Sequence, residues 1–345
     1  MKFVNVHNEW DPLEEVIVGD AVGARVPTGD KGLHAIRYRD AEGASSIPSG
    51  PHAPDVLEKA AEELELLVGC LVDLGIRVRR PSPTDHSRTF GTPDWRSDGM
   101  YNYCPRDILL AVGSSIIETP MSLRSRLYEP FAYKQILVDY MNSGANWVSA
   151  PKPALLDDGY NLTDPNRFAV LEFEPVFDAA NVLKAGRDII YLVSDTGNRL
   201  GAQWLQNFLG SEYRVHPCDN LYAQTHIDTT IVLLRPGLVL LNPDRVGDHN
   251  IPKPLAKWDK IYAPPMVDIG YTGISYGSAW VGMNLLMVNP ELAIVDDRQT
   301  ELIRLLNAHR IEVAPLRLTH ARTLGGGFHC VTLDTRRTGT LEDYS

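Results

Sequence analysis

Hydrophobic residues recur at helical spacing in three segments, and each of these segments precedes a short strand-like one. The longest, residues 56–74, places apolar side chains on one helix face, and Gly75 predicts its end. Shorter helical patterns cover 204–209 and 302–306. The chain therefore alternates between helix and strand, which is typical of an α/β fold.

Five strand-like segments end at a proline, which predicts that each strand stops there because proline cannot continue a central ladder. These segments are 75–81, 145–151, 212–217, 259–264 and 310–315. Loops and strand pairs follow the first four, over roughly 107–117, 178–193, 228–241 and 283–295. Turn residues divide the third and fourth pairs, at 235–237 and 289–291.

The fifth unit has one strand, 330–334, before the chain runs out, whereas the N-terminal strand 13–18 has no partner. The N-terminal strand can complete the fifth unit. We therefore expect residues 1–345 to form one domain, a five-bladed pseudo-symmetric α/β propeller. Residues 19–51 show no sustained period, and we expect a mobile lid loop there, over the functional site.

Charge and composition exclude several classes of protein. The net charge is −11 without a long basic run, so we expect no nucleic-acid partner. No segment is apolar enough to span a bilayer, and the N-terminus lacks the apolar core of a secretory signal, so we expect a cytoplasmic protein and no membrane partner. The four cysteines are scattered without metal-ligand spacing, which predicts reduced thiols and no metal.

A run of three glycines, 325–327, stands shortly before Cys330 and the last predicted strand. Glycines permit unusual backbone conformations and the close approach of a ligand. A thiol presented on such a loop fits a nucleophile, although a free cysteine also serves as a small buried side chain. The stretch alone leaves both interpretations open.

Polar residues occupy equivalent places in the other units. Asp107, Asp178 and Asp228 each stand where a loop enters a strand pair, and in a propeller those ends converge near the axis. Lone aspartates there are usually turn formers, but their repetition favours a shared site. His226 precedes Asp228 by two residues, so on a strand both side chains would share a face. A neighbouring carboxylate raises a histidine pKa and suits it to proton transfer.

Carboxylates, a histidine and a thiol together suit the chemistry of a guanidinium group. Carboxylates bind a planar guanidinium bidentately and hold its central carbon still. A thiolate can attack that carbon, and a histidine can protonate the departing amine.

The chain resembles the amidinotransferases of the guanidino-group-modifying superfamily, which have the five-bladed pentein fold. The matching motifs are HNEWDPL at 7–13, CPRD at 104–107, APKP at 150–153, EPVFDAA at 174–180, HID at 226–228, NPDR at 242–245, GGGFHC at 325–330 and RRTGTL at 336–341. Residues 7–19, 21–27 and 280–284 are most similar to the inosamine-phosphate branch of streptomycin-type antibiotic biosynthesis.

The resemblance implies a role for each of seven residues. Cys330 would be the nucleophile, His226 the general acid and base, and Asp178 its partner and a guanidinium ligand. Asp107 and Asp228 would bind the guanidinium too. Arg245 would hold the carboxylate of the donor L-arginine, and Ser278 would line the site. No cofactor is implied.

Three positions depart from the glycine-accepting branch: Thr225 replaces a methionine, Gly277 a serine and Asn181 an aspartate. The smaller Thr225 and Gly277 would leave room for a ring-shaped amine such as an aminocyclitol phosphate, for which Arg106, Arg124, Arg126 and Lys134 are candidate phosphate contacts.

Other hypotheses stay open at this point. The acceptor could equally be glycine, lysine or another small amine. The same residues serve an arginine deiminase-like hydrolase, in which water replaces the amine. A non-catalytic protein that binds arginine, or zinc through Cys330, His226 and Asp178, is the third hypothesis. The oligomeric state is open between monomer and homodimer.

Overall fold

The structure is a computed structural model and describes residues 3–269 and 277–345. The strands of the described residues, numbered in chain order, are β1 Leu13–Val18, β2 Arg25–Val26, β3 Gly50–Pro51, β4 Arg77–Arg79, β5 Phe90–Gly91, β6 Arg96–Ser97, β7 Leu109–Val112, β8 Ser115–Glu118, β9 Asn146–Ser149, β10 Val182–Ala185, β11 Asp188–Leu192, β12 Arg214–Cys218, β13 Ile231–Arg235, β14 Leu238–Leu241, β15 Asp259–Tyr262, β16 Leu286–Asn289, β17 Leu292–Asp296, β18 Glu312–Leu316 and β19 Thr332–Arg337. The α-helices are α1 Lys31–Arg37, α2 Pro54–Asp73, α3 Pro105–Ile108, α4 Lys134–Asn142, α5 Arg199–Leu209, α6 Thr300–Ala308 and α7 Ala321–Leu324.

Five three-stranded sheets share one plan, in which an antiparallel pair is followed by a parallel third strand. In strand order they are sheet A (β19-β1-β4), sheet B (β7-β8-β9), sheet C (β10-β11-β12), sheet D (β13-β14-β15) and sheet E (β16-β17-β18). The N-terminal strand β1 pairs with β19 at Ile17–Leu333 and so completes the unit that the sequence left unfinished. The predicted strand pairs and the orphan N-terminal strand are confirmed.

Among the central strands of these sheets, β11 and β14 are buried along their whole length, whereas the third strands are partly exposed edges. This explains one wrong prediction. β12 and β18 do not stop at proline but continue through Pro217 and Pro315, because an edge strand can lack an N–H on its outer side.

Three of the helices are those that the apolar spacing predicted. The pattern at 56–74 forms α2, whose residues Leu64, Leu67 and Leu71 are fully buried, and the other two segments form α5 and α6. The sequence analysis missed α4, which precedes β9. Before β15 the described chain forms only a 3-10 turn, Lys253–Leu255.

Apolar clusters join the sheets pairwise, because each sheet has two buried faces. The pairs, each with one residue from either sheet, are A and B through Ile17 and Leu109, B and C through Leu110 and Ile189, C and D through Ile190 and Val239, D and E through Leu234 and Ala293, and E and A through Leu286 and Val16. Burial of apolar surface therefore fixes each sheet against two others.

Residues 19–51, expected to be a loop, contain β2, β3 and α1. Asp30 caps α1, its carboxylate accepting a hydrogen bond from the Leu33 N–H at 2.8 Å. Leu33 and Ile36 are buried in an apolar cluster with Leu123 and Val170. The segment is thus anchored by apolar contacts as well as by its ends. No helix in the two described ranges is long and apolar enough to cross a membrane.

Candidate active site

Cys330 lies two residues before β19 and three residues after the glycine run 325–327. The short helix α7 ends at Leu324, and Gly325 follows in the left-handed conformation, with φ of 84°, which favours glycine at a helix end. The backbone thus turns sharply, and the thiol points into a pocket instead of following the helix.

The other two glycines allow close packing around that thiol. A Cβ atom at Gly326 would lie 2.5 Å from the Cys104 sulfur and 2.8 Å from Cβ of Cys330. A Cβ atom at Gly327 would lie 2.8 Å from Cβ of Asn284. The run is therefore required by contacts on two sides, which sequence alone did not reveal.

The Cys330 thiol is buried and lies among several side-chain partners. It donates to Oδ2 of Asp228 at 2.9 Å and accepts from Nδ2 of Asn284 at 3.1 Å. A hydrogen bond with Cys104, burial and the negative charge of Asp228 raise the pKa of Cys330 well above its usual value. Loss of the thiol proton is therefore disfavoured in the free protein.

His226 is held between two carboxylates. Its Nε2 lies 3.1 Å from Oδ2 of Asp178, and its Nδ1 lies 3.5 Å from Oδ1 of Asp107. Burial alone would lower the pKa of His226, but Asp107 and the hydrogen bond to Asp178 outweigh it and raise the pKa well above its ordinary value. The ring is therefore an imidazolium, ready to donate a proton.

The expectation that His226 and Asp228 share one face of a strand is wrong. Residues 226–228 precede β13 in a turn, and His226 has a left-handed backbone with φ of 50°. Both side chains nevertheless line the same pocket. Strain of this kind in a non-glycine residue is common at functional sites.

Asp178 and Asp107 lie behind His226, are fully buried and do not line the pocket. Asp178 accepts hydrogen bonds from the N–H and the hydroxyl of Ser122, at 3.0 and 2.8 Å. Asp107 pairs with Arg126 at 2.5 Å, which leaves its Oδ1 without a hydrogen bond. In this state their observed partners are protein groups, and their binding of a guanidinium stays a prediction.

A buried network extends from Asp228 away from the pocket. Nδ1 of His329 lies 3.2 Å from Oδ2 of Asp228, and Nε2 of His329 lies 3.4 Å from Glu9. Burial opposes ionisation of Asp228, but the hydrogen bond from His329 lowers its pKa to about 2. Asp228 is therefore a carboxylate at neutral pH. Glu9 and His329 stood within the recognised motifs but were not assigned a role from the sequence.

Arg245 and Ser278 meet at the pocket wall. Nη2 of Arg245 donates to the Ser278 hydroxyl at 3.0 Å, and Nη1 donates to the Thr229 hydroxyl at 2.9 Å. The Arg245 guanidinium also stacks 3.5 Å above the Tyr222 ring. Within residues 3–269 and 277–345 no carboxylate forms an ion pair with it, so its charge suits an incoming carboxylate.

The pocket has a volume of about 480 Å³, and Cys330, His226 and Asp228 are among its lining residues. We call it the cysteine pocket. Thr225 and Gly277, two of the departures from the glycine-accepting pattern, also line it. The third, Asn181, does not; it is fully buried and donates to the Leu192 carbonyl, so it stabilises sheet C.

The arrangement offers no metal centre in the described part of the chain, where no group of three or more His, Cys, Asp or Glu side chains could hold an ion. Its groups are a thiol beside the Asp228 carboxylate, and an imidazolium held by the carboxylates of Asp107 and Asp178.

Asn284 is a further pocket residue that sequence reasoning did not single out, although it stood within the 280–284 match. Its Oδ1 accepts hydrogen bonds from the N–H groups of His329 and Cys330, at 2.9 and 3.1 Å, while its Nδ2 donates to the sulfur. One amide thus fixes both the backbone and the sulfur of the nucleophile.

Replacing Asn284 with Ala should slow alkylation of the Cys330 thiol and any reaction that depends on it. The change leaves the Cys330 N–H without its acceptor and removes one donor to the sulfur, each lost partner costing roughly 1–3 kcal/mol, so we expect a roughly 10- to 100-fold loss. Iodoacetamide labelling of the Cys330 peptide as a function of pH measures this.

A variant that only loosened the fold would label faster at all pH values, which would contradict the positioning role. Asn284→Asp is the matched control, because its carboxylate still accepts from both N–H groups but puts a negative charge beside the sulfur. Its labelling curve should shift to higher pH.

Comparison with known proteins places the chain among amidinotransferases. No family model matches it. It is 57% identical over 346 residues to inosamine-phosphate amidinotransferase 1 of Streptomyces glaucescens, covering 100% of this chain and 99% of that one. It is 40% identical to the mitochondrial glycine amidinotransferase of Gallus gallus, covering 98% of this chain and 84% of that protein. The solved structure of the inosamine-phosphate amidinotransferase of Streptomyces griseus matches with a TM-score of 0.98 at 59% identity, covering 100% and 99% of the two chains.

Proposed function

This chain belongs to the amidinotransferase family, and on that premise we propose that it transfers the amidino group of L-arginine to a small amine and releases L-ornithine. Relatives of 57% and 59% identity over nearly the whole chain are named for this transfer. The observation that carries the proposal is the contact of the Cys330 thiol with Asp228, in a pocket shared with His226.

The donor binds through its two charged ends. Asp228, a carboxylate exposed to the pocket, accepts the guanidinium, and the buried Asp107 and Asp178 add negative charge behind His226. Arg245, beside Ser278, holds the α-carboxylate of arginine. The guanidino carbon is then fixed next to the sulfur of Cys330.

In the first half-reaction the sulfur of Cys330 attacks the guanidino carbon. The guanidinium cation favours ionisation of the thiol, whose proton passes to His226 as His226 gives its own proton to Nε of arginine, the nitrogen that becomes the side-chain amine of ornithine. The bond between carbon and that nitrogen breaks, ornithine leaves, and the amidino group stays on sulfur.

In the second half-reaction the acceptor amine enters the vacated pocket and attacks the same carbon. His226, still an imidazolium, gives its proton to sulfur as the carbon–sulfur bond breaks and takes one from the attacking nitrogen, so the resting thiol and imidazolium are restored. Atoms and charge balance over the cycle, and the order of events predicts ping-pong kinetics.

The acceptor that the site supports best is an aminocyclitol phosphate, such as scyllo-inosamine phosphate, in antibiotic biosynthesis of the streptomycin type. Two of the most similar curated relatives carry that acceptor in their name. The pocket supports it, since Thr225 and Gly277 line the wall with small side chains. Glycine is the alternative, through the relatives of 38–40% identity, and lysine is a third candidate.

An acceptor screen with arginine as donor, read by mass spectrometry, tests this assignment. Ornithine should exceed one equivalent per enzyme only when an amine is present, and scyllo-inosamine phosphate should give the most product. A deiminase-like hydrolase of the same superfamily would instead release citrulline and ammonia without any amine, and that outcome would overturn the proposal.

We further propose that the five sheets close around a pseudo-fivefold axis as one domain spanning residues 1–345. The support is the cyclic order of the apolar clusters, in which each sheet shares a cluster with the next and sheet E shares one with sheet A. Residues 19–51 would cover the site, because Arg37 of α1 lines the cysteine pocket. A cytoplasmic location and a homodimer stay predictions; light scattering tests the latter.

A further inference from the structure

A second cavity of about 850 Å³ adjoins the cysteine pocket. Arg37 borders both, and Ala223 and Gln224 of the second cavity directly precede Thr225 and His226 of the first. The two spaces therefore share a wall and a stretch of backbone. We call the second one the arginine cavity.

Three arginines line the arginine cavity. Arg37 is buried, whereas the side chains of Arg39 and Arg167 are exposed. Arg39 donates to the Asn161 carbonyl at 3.2 Å, and neither Arg39 nor Arg167 forms an ion pair with another described residue. Both guanidinium groups can thus bind an anion without first breaking an ion pair.

Two carboxylates, Asp40 and Asp195, also line the cavity, so its formal charge is +1. One oxygen of Asp195 accepts a hydrogen bond from the Ala169 N–H at 2.6 Å, which holds that carboxylate against the backbone. The balance of charge still favours an anion.

The cations that the sequence offered as phosphate contacts are each paired elsewhere, so that suggestion is corrected. The observed pairs are Arg106 with Asp334 at 2.6 Å, Arg124 with Asp157 at 2.7 Å, Arg126 with Asp107 at 2.5 Å and Lys134 with Glu118 at 3.1 Å. At the cysteine pocket itself, Arg322 pairs with Asp268 at 2.6 Å.

We propose that the arginine cavity binds the phosphate group of the acceptor through Arg39 and Arg167, while the amine of the same molecule reaches the cysteine pocket past Arg37. The proposal rests on the amidino transfer proposed above and adds the part of the protein that selects a phosphorylated acceptor. Guanidinium groups suit this task because they bind phosphate oxygens through paired hydrogen bonds.

Kinetics of Arg39→Ala, Arg167→Ala and the double variant test the proposal. With scyllo-inosamine phosphate as acceptor, kcat/KM should fall roughly 10- to 100-fold in the double variant, as expected for lost charge-assisted hydrogen bonds. With unphosphorylated scyllo-inosamine, kcat/KM should stay unchanged. Arg304→Ala is the matched control, because Arg304 is an exposed arginine on α6 that lines none of the cavities described here.

Exchange between arginine and isotopically labelled ornithine separates this proposal from the proposed function, because it needs only the first half-reaction. The double variant should exchange as fast as the wild type. An inactive wild type would refute amidino transfer itself. Equal losses with both acceptors, or none with either, would overturn the phosphate subsite.

Calorimetry with inorganic phosphate gives a readout that does not depend on turnover. The wild type should bind phosphate, and the double variant should lose that binding. Phosphate binding of equal strength in both proteins, or in neither, would also overturn the proposal.

Discussion

Cys330→Ala should abolish both half-reactions, and this is the largest effect we expect. Without the sulfur no covalent intermediate forms, so arginine can be bound but not cleaved. Mixing the wild-type enzyme with arginine alone should release one equivalent of ornithine and leave one amidino group on the Cys330 peptide. The variant should show neither product in mass spectrometry.

Cys70→Ala is the control for this experiment, since Cys70 is a half-buried cysteine on α2 that does not line the cysteine pocket. It should retain both the burst of ornithine and the adduct. If the wild-type enzyme released ornithine only with both substrates bound and carried no adduct, the covalent mechanism would be wrong.

His226→Ala should lower the rate of ornithine release by roughly 10²–10⁴-fold, the usual contribution of general acid–base catalysis. The adduct, once formed, should also pass slowly to the acceptor, because the same ring removes the proton of the amine. Rapid-quench measurement of each half-reaction checks this, and an effect confined to arginine binding would contradict the role.

Asp178→Asn should change the pH dependence of the same step. Asp178 contributes to the raised pKa of His226, so the wild type keeps its imidazolium until the pH passes that raised value. Without the carboxylate the pKa falls, and the proton donor is lost at lower pH. The alkaline limb of kcat/KM for arginine should therefore move to lower pH.

Asp188→Asn provides the matched control, because Asp188 forms a carboxylate–histidine pair with His216 at 2.7 Å outside the pocket. Breaking this pair should leave the pH profile in place even if it lowers stability. An unchanged alkaline limb in Asp178→Asn would show that His226 does not act as the acid.

The strands and helices with strong periodicity could be predicted from sequence, since α2 and the hairpins of sheets B to E each bury mainly apolar side chains. The passage of β12 through Pro217 could not, because only the sheet order makes that strand an edge. The local pattern of residues predicts a strand, whereas the position of that strand in the sheet decides whether it can contain a proline.

Cys330 and His226 could be named as candidates from the sequence because they stand in motifs of the resembled family, and the structure brings them into one pocket. Asn284 was not named, because an asparagine before a strand has no distinguishing local signal, and its importance arises from contacts with residues 45 and 46 positions away. The same holds for Arg39 and Arg167, which lie 128 positions apart in the sequence but line one cavity in the fold. Arg106 and Arg126 were wrongly predicted as phosphate contacts. Both are buried in ion pairs, with Asp334 and Asp107, which are distant in sequence.

The pairing of β1 with β19 has a consequence for how the protein folds. Ile17 and its partner Leu333 lie far apart in sequence, so sheet A forms only when two distant segments meet. Closing so long a chain segment costs entropy before the contacts compensate for it, so we expect this pairing to form slowly. Cys330 stands two residues ahead of β19, so its position depends on that slow contact. Mutations that weaken sheet A should therefore lower the yield of active protein.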